Sequence, residues 1–414
     1  FAEHFDNPVG NVGPIYVINV LDPDAHKKAE KTTKELSFNN KRAEFESSDI
    51  ILDTFAIAEK AEGVDYSLEY NFAKGSVVVK LLKDDATATA ECTYNTVDAS
   101  AVEAADVIGQ TTENGEYTGL HALKLLYQYH NVVLNLLAAP GWSQIPEVYK
   151  AMVGIVQSLN GHWDGFVNAD IPLKDTTGAA VDTLAKAEAW KVANGYTSEF
   201  SKVWWPMRKD TAGRVLHVPT AAQSTMLRVD LSHDGVPMES PSNKEIMATC
   251  QYFGEGSKNR GFDQHTANEL NEHGISTICF WGGKWVLWGP HTAAYNYGGD
   301  TDGRAIFDVN IRMLMHITNG FQLRHGTRID APMTPQDKDS ILNIEKAELD
   351  MLTGIGALVG TPSVEFVESA NPVSDMMNGD FVWDFSATPT PPFKSGTARV
   401  SYTDEGFAAF FENA

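Results

Sequence analysis

The sequence is short of cysteine, of basic charge and of long apolar runs, and each shortage excludes something. Its three cysteines, Cys92, Cys250 and Cys279, are scattered and odd in number, with no CxxC spacing. No disulfide framework is expected, so synthesis in a reducing compartment with buried structural thiols is the reading. Lys+Arg is 32 against 55 Asp+Glu, a net charge of −23. A chain so acidic lacks the basic footprint of a nucleic-acid binder and is repelled by an anionic membrane surface. No run approaches the roughly 18 apolar residues of a membrane-spanning helix. The first residue is Phe1, and no basic-then-apolar leader follows it, so either a segment has been cleaved or the start of the chain is absent. What is present is ordinary globular composition, 43% hydrophobic and 21% charged over 414 residues.

The pattern changes along the chain. Phe1–Phe5 reads as the tail of a helix, and residues 15–20, Ile-Tyr-Val-Ile-Asn-Val, as a buried strand. Lys and Glu dominate from Lys27 to Glu46, a solvated face or linker. Strands are expected at 49–58, 65–71, 76–82 and 87–96, with turns at Gly75 and Lys83-Asp84-Asp85. That makes 45–105 a small antiparallel sandwich or barrel inserted between segments of another type. From 118 the order becomes helix, strand, helix, strand. Leu120, Leu123, Leu126 and Tyr127 share a helix face, 131–138 is a continuous apolar strand, and Pro140-Gly141 turns the chain. Ser143 is placed to cap a helix whose stripe is Val148, Met152, Ile155, Val156 and Leu159, and 166–170 is the next strand. Such a βαβ unit makes a parallel sheet. A helix near 179–193 leads to a strand near 202–207. Strands 275–281 and 284–288 flank Gly282-Gly283, a two-residue hairpin turn. Helices follow at 304–320 and from Thr334-Pro335 to Gly354. Short strands at 363–369, 379–385 and 397–403 close the chain, with a stiff Pro389–Pro392 connector and the terminal aromatics Phe407, Phe410 and Phe411.

No catalytic constellation emerges. Gly354, Gly356 and Gly360 are spaced GxGxxxG and follow a helix, the wrong context for a dinucleotide turn. Gly141-Trp142-Ser143 lies where a nucleophile elbow would, but Ile145 replaces the second glycine. His265 and His273 are the closest approach to a ligand pair, and no third or fourth ligand joins them. Trp281, Trp285 and Trp288 fit a core hairpin better than a sugar platform.

Several segments together resemble the contractile tail sheath proteins of bacterial viruses and their relatives in R-type bacteriocins. They are Gly115–Leu123 with Leu137–Gly141, then Ser240-Pro241-Ser242-Asn243 running to Ile246, then Leu270–Ile278 with Gly274 and Ile275, then Trp288-Gly289-Pro290-His291-Thr292, and finally Gly354–Leu358 and Asn371-Pro372. The family's tryptophan-glycine motif usually continues to Arg-Thr, and here Pro290-His291 precedes Thr292, which puts the role of that Arg in doubt. The resemblance implies an α+β / α/β multidomain fold. An α/β sheath core with a parallel-type sheet would span 1–20 and 114–330. A small antiparallel β domain would be inserted at 21–113, on the outside of a tube, and a C-terminal α+β domain would follow at 331–414. It implies an arm ahead of Phe1, no enzymatic activity, no cofactor and no metal. The partners would be further copies in a helical sheath, the tail tube protein, and baseplate and tail terminator proteins, in a virion tail made in the host cytoplasm. It also implies an inter-subunit strand arm, for which Thr397-Ala398-Arg399-Val400-Ser401-Tyr402-Thr403 is the candidate. The alternatives are an α/β hydrolase using Ser143 or carboxylates, and a carbohydrate-binding surface protein using the tryptophans.

Overall fold

The computed structural model describes residues 2–83 and 88–410. Asp84 and Asp85 of the expected turn, Thr87 at the start of an expected strand, and Phe1 and Phe411 lie outside these residues. The chain divides into two compact units, 16–125 and a larger one made of 1–15 with 126–414. The larger unit begins with α1 (Ala2–Phe5).

The unit 16–125 is built of β1 (Thr32–Ser37), β2 (Arg42–Glu46), β3 (Ile50–Ile57), β4 (Tyr66–Asn71), β5 (Ser76–Leu81) and β6 (Thr89–Thr96), followed by the short α2 (Ala104–Ile108). The strands form two antiparallel three-stranded sheets, ordered β1-β6-β3 and β2-β5-β4. The inward residues Leu36, Phe45, Phe55, Tyr66, Val77, Val79, Cys92 and Tyr94 form one shared core, as expected when each strand buries alternate side chains. The charged stretch 27–46 is therefore not a linker. Glu35, Arg42 and Glu44 face outward while Leu36, Ala43 and Phe45 are buried, a period of two that the charge run obscures. The segment 15–20 forms no strand, and Tyr16 and Val17 are exposed.

In the larger unit come α3 (Leu126–His130), β7 (Leu136–Ala138), α4 (Pro146–Val156), β8 (Phe166–Asp170), α5 (Leu184–Ala193), β9 (Ser201–Trp204), β10 (Met207–Lys209), β11 (Val215–Leu216), α6 (Val218–Ser232), β12 (Cys250–Tyr252), α7 (Gln264–Glu272), β13 (Ile275–Trp281), β14 (Lys284–Trp288), α8 (Asp308–His325), α9 (Pro335–Gly354), β15 (Leu358–Glu365), α10 (Val373–Asn378) and β16 (Asp384–Pro389). The central sheet has the order β14-β13-β9-β8-β7. β7, β8, β9 and β13 run parallel, and β14 returns antiparallel through the expected Gly282-Gly283 turn, both glycines at positive φ. All five residues of β8 are buried, as in a strand covered on both faces.

Several expectations need correction. The stretch 118–129 is mostly a tighter 3-10 helix over Gly119–Leu125, and the strand expected at 131–138 pairs only from Leu136. Ser143 does not cap α4, whose N-cap is Ile145. The late strands fall at 358–365 and 384–389 rather than 363–369 and 379–385. Cys92 and Cys279 are buried, but Cys250 is only half-buried. α9 starts as read, with Thr334 and Asp337 exchanging side-chain-to-backbone bonds in a capping box. Its apolar face packs with α8 and the antiparallel pair β15–β16 around Met313, Ile317, Leu349, Leu352, Leu358 and Val364.

Candidate functional site

The resemblance segments 240–246, 270–278 and 288–292 converge on the β13–β14 hairpin. α7, capped by Asp263 accepting from the Thr266 amide at 3.0 Å, ends beside Gly274. Gly274 has φ +64°, and a Cβ there would stand 2.5 Å from the Tyr295 carbonyl and 2.8 Å from that of Thr292. Only glycine turns the chain so tightly from α7 into β13. Ile275 then pairs with Val203 of β9 and is fully buried. At the other end of the hairpin Trp288 Nε1 donates to Asn268 Oδ1 on α7 at 2.8 Å. Gly289 follows at φ +126°, where a Cβ would stand 2.3 Å from Asn271 Oδ1 and 3.0 Å from Ser276 Oγ.

The segment 240–246 locks onto the same place. The Gly289 amide donates to Ser242 Oγ at 3.0 Å. The amides of Asn243 and Ile246 donate to the Leu287 and Trp285 carbonyls at 2.7 and 3.0 Å, and that of Leu287 donates to Lys244 O at 3.0 Å. The segment thus covers the outer edge of β14. Asn243 takes φ +62° to reach it, a conformation asparagine tolerates better than most residues. Ser240 Oγ donates to Asp308 Oδ2 at 3.3 Å, and Thr292 Oγ1 donates to the Ala305 carbonyl. His291, in place of the family's Arg, stacks on Tyr295 with centroids 3.7 Å apart and on Phe307 at 5.1 Å. Burial pushes its ring down to about 3, so it is neutral and contributes packing rather than charge.

Charged clamps, none anticipated from the sequence, run from this centre into the helices. Lys202 Nζ on β9 lies 2.6 Å from Asp308 Oδ2 at the start of α8, both side chains fully buried. Arg312 bonds Asp230, joining α8 to α6, and Arg208 bonds Glu3, fixing α1. Glu345 of α9 takes a forked pair of bonds from Arg324 at 2.9 and 2.6 Å and lies 2.6 Å from His325 Nε2. Their partners are too far apart in sequence to be paired by pattern.

The hydrolase alternative finds no support in the geometry. Ser143 is fully buried, its Oγ accepts the Asp170 amide at 3.0 Å, and its carbonyl accepts from the Tyr196 hydroxyl at 2.9 Å. It ties the turn after β7 to the end of β8 and is closed to any substrate. Asp170 and His217 pair at 2.8 Å beside it, a contact unread in the sequence, and burial raises the Asp170 carboxyl. Among the described residues no group of three or more His, Cys, Asp or Glu is arranged to hold a metal ion. His273 instead lies 3.1 Å from Glu188. Among them, too, no helix is long and apolar enough to cross a membrane. Trp285 packs against the Ile246 cluster, Trp288 is half-buried, and Trp281 is partly exposed against Trp288. Thr397–Thr403 stands apart from the motif cluster: it forms no strand with any described segment and is exposed throughout.

What the fold and this cluster define is a mixed α/β multidomain chain whose motif residues hold turns and strand edges in place. No family model matches it. The tail sheath protein of Burkholderia phage BcepMu is 26% identical over 408 residues, covering 95% of this chain and 82% of that protein. The tail sheath protein of Escherichia phage P2 is 23% identical over 306 residues, covering 73% and 72%. Among solved structures, the sheath complex of an extracellular contractile injection system in its contracted state shares the fold, with TM-score 0.54, 17% identity, and coverage of 73% of this chain and 79% of that one. The chain is thus similar along most of its length to contractile tail sheath proteins of phages.

Proposed function

We propose that the protein is the structural subunit of a contractile tail sheath in a phage or prophage-derived tail-like particle. It polymerises as a helical tube around a tail tube and contracts to drive that tube through the host envelope. Its other partners are baseplate and tail terminator proteins. The observation that carries the assembly mode is the pairing of two features. Among the described residues β15–β16 is a sheet of only two strands. After it, 393–410 runs exposed, with Val400 92% and Tyr402 84% accessible. Two strands alone are marginally stable, and an open edge recruits another strand through main-chain hydrogen bonds. Thr397–Thr403 is the arm that supplies this strand to a neighbouring copy. Repeated from copy to copy, such a contact is head-to-tail and builds an open helix where its rotation does not close into a ring.

The buried clamps Lys202–Asp308, Arg312–Asp230 and Arg324–Glu345 support contraction by rigid-body rotation of subunits, with the arms as tethers. The domain reading follows: a core from 1–20 and 114–330, a C-terminal domain at 331–414, and an insertion at 21–113 on the tube exterior. The separate compactness of 16–125 supports the insertion. No catalytic step is assigned.

The test is electron microscopy of the protein expressed from its complete gene, intact and truncated after Pro392. The intact protein forms tubes at high concentration. The truncated one unfolds at the same temperature and forms none. Tubes without the arm, or a core that melts when it is removed, would refute the arm.

A further inference from the structure

The unit 16–125 carries a feature that sheath assembly does not explain. At one end of its sandwich the two sheets part around an open cleft of about 510 Å³. The volume lies within the roughly 300–1,000 Å³ of small-molecule sites. Its walls are Lys28 and Thr32, the stretch from Glu46 to Asp49, the Lys74-Gly75 turn, and Tyr94 and Thr96 of β6.

The walls are chemically selective. Lys28 and Lys74 are matched by Glu46 and Asp49, so the lining has no net charge in a chain at −23. Lys28 Nζ lies 3.7 Å from Asp49, and Lys74 Nζ lies 3.7 Å from Glu44. A phosphate or polyanion would have to displace these partners. The remaining polar lining is hydroxyl: Thr32, Ser47, Ser48, Tyr94 and Thr96. Hydroxyls both donate and accept, the pattern that meets another hydroxyl. Thr96 is the decisive one. It is 5% exposed, and its Oγ1 is buried with no hydrogen-bond partner. A buried hydroxyl left unbonded is destabilising unless something satisfies it. On the turn that makes one wall, Phe72 is 88% exposed, its ring set edge-on to Tyr70 at 4.9 Å. An exposed aromatic beside a hydroxyl-lined cleft offers a face for the apolar side of a sugar ring.

We propose that this cleft is a binding site for a neutral carbohydrate, taking a mono- or disaccharide unit of a glycan, with Thr96 and the Ser47–Ser48 hydroxyls hydrogen-bonding it. The assignment rests on the unit 16–125 alone and stands whether or not the chain builds a sheath.

The experiment is saturation-transfer NMR of the full chain against millimolar methyl glycosides of glucose, galactose, rhamnose and N-acetylglucosamine, with inorganic phosphate as the charged control. At least one glycoside receives saturation, and phosphate does not compete with it. Ser48→Trp, at an exposed position on the rim, abolishes the signal while thermal unfolding stays unchanged. Thr96→Val keeps the side-chain shape and weakens binding about fivefold, the worth of one hydrogen bond. No saturation of any glycoside, an undiminished signal in either variant, or competition by phosphate would each overturn the proposal.

Discussion

Replacing Asp308 by Asn would test the central clamp most sharply. The substitution keeps the side chain's shape and the oxygen that accepts the Val309 amide at 2.8 Å, but removes the charge facing Lys202. Breaking a buried ion pair from one side costs about 3–5 kcal/mol, because the surviving charge is left without compensation. The lower end applies here, since the amide oxygen still offers Lys202 an acceptor. In a unit of this size that corresponds to a fall in Tm of roughly 5 °C. The pH dependence is more telling. Burial already lowers the Lys202 ammonium below its ordinary value, while Asp308 opposes the shift and Arg312 adds to it. Without Asp308 both remaining influences push downward, so Lys202 loses its proton at lower pH in the folded chain than in the unfolded one. Between those two values the unfolded state binds more protons, so stability rises with pH, by at most about 1.4 kcal/mol per unit. Asp308→Asn should therefore recover stability as pH rises toward the unfolded lysine value of about 10, starting at lower pH than the parent. Lys202→Met combined with Asp308→Asn should restore most of the loss at neutral pH, because no charge is left stranded. Calorimetry and urea unfolding across that range read both effects. A single variant within about 1 kcal/mol of the parent, with no steeper rise, would refute the reasoning, since exposed pairs are worth no more.

The hairpin glycines are equally exposed to test. Gly289→Ala places a Cβ 2.3 Å from Asn271 Oδ1 at a φ that side chains rarely adopt, and should cost at least about 2 kcal/mol in urea unfolding. Gly283→Ala at the open hairpin turn meets no atom within 4 Å and should cost less. Ser143→Ala strands the Asp170 amide inside the protein and should lower stability by about 1–3 kcal/mol while leaving tube formation intact. Full stability in that variant would contradict its reading as a tie between strands.

The elements most legible in the sequence were those set by local chemistry. Thr334-Pro335 with Asp337 announces α9, and Gly282-Gly283 announces the hairpin, because caps and tight turns are decided within a few residues. Residues 27–46 were opaque because Lys and Glu on the outer face swamp the few inward side chains, Leu36, Ala43 and Phe45. The run 15–20 misled in the opposite sense: its apolar residues form no strand, and periodicity carries no information about whether a partner edge exists. For the motif cluster, resemblance supplied the positions of Gly274 and Gly289 but not the reason for them. That reason is the closeness of the Tyr295 carbonyl and the Asn271 side chain, which only the folded chain brings there. The clamps join residues as distant as Glu3 and Arg208, and Ser143 turned inward where its flanking turn suggested a cap.

The segment 243–246 along β14 carries a further consequence. A bare outer strand is a template for any extended peptide, and templates are dangerous in a protein made in many copies. With that edge already occupied by its own chain, β14 cannot take a strand from a neighbour or fuse edge to edge with another copy. Mutations that loosen Ser242 or Asn243 would then show first as insolubility, before any loss of the fold itself.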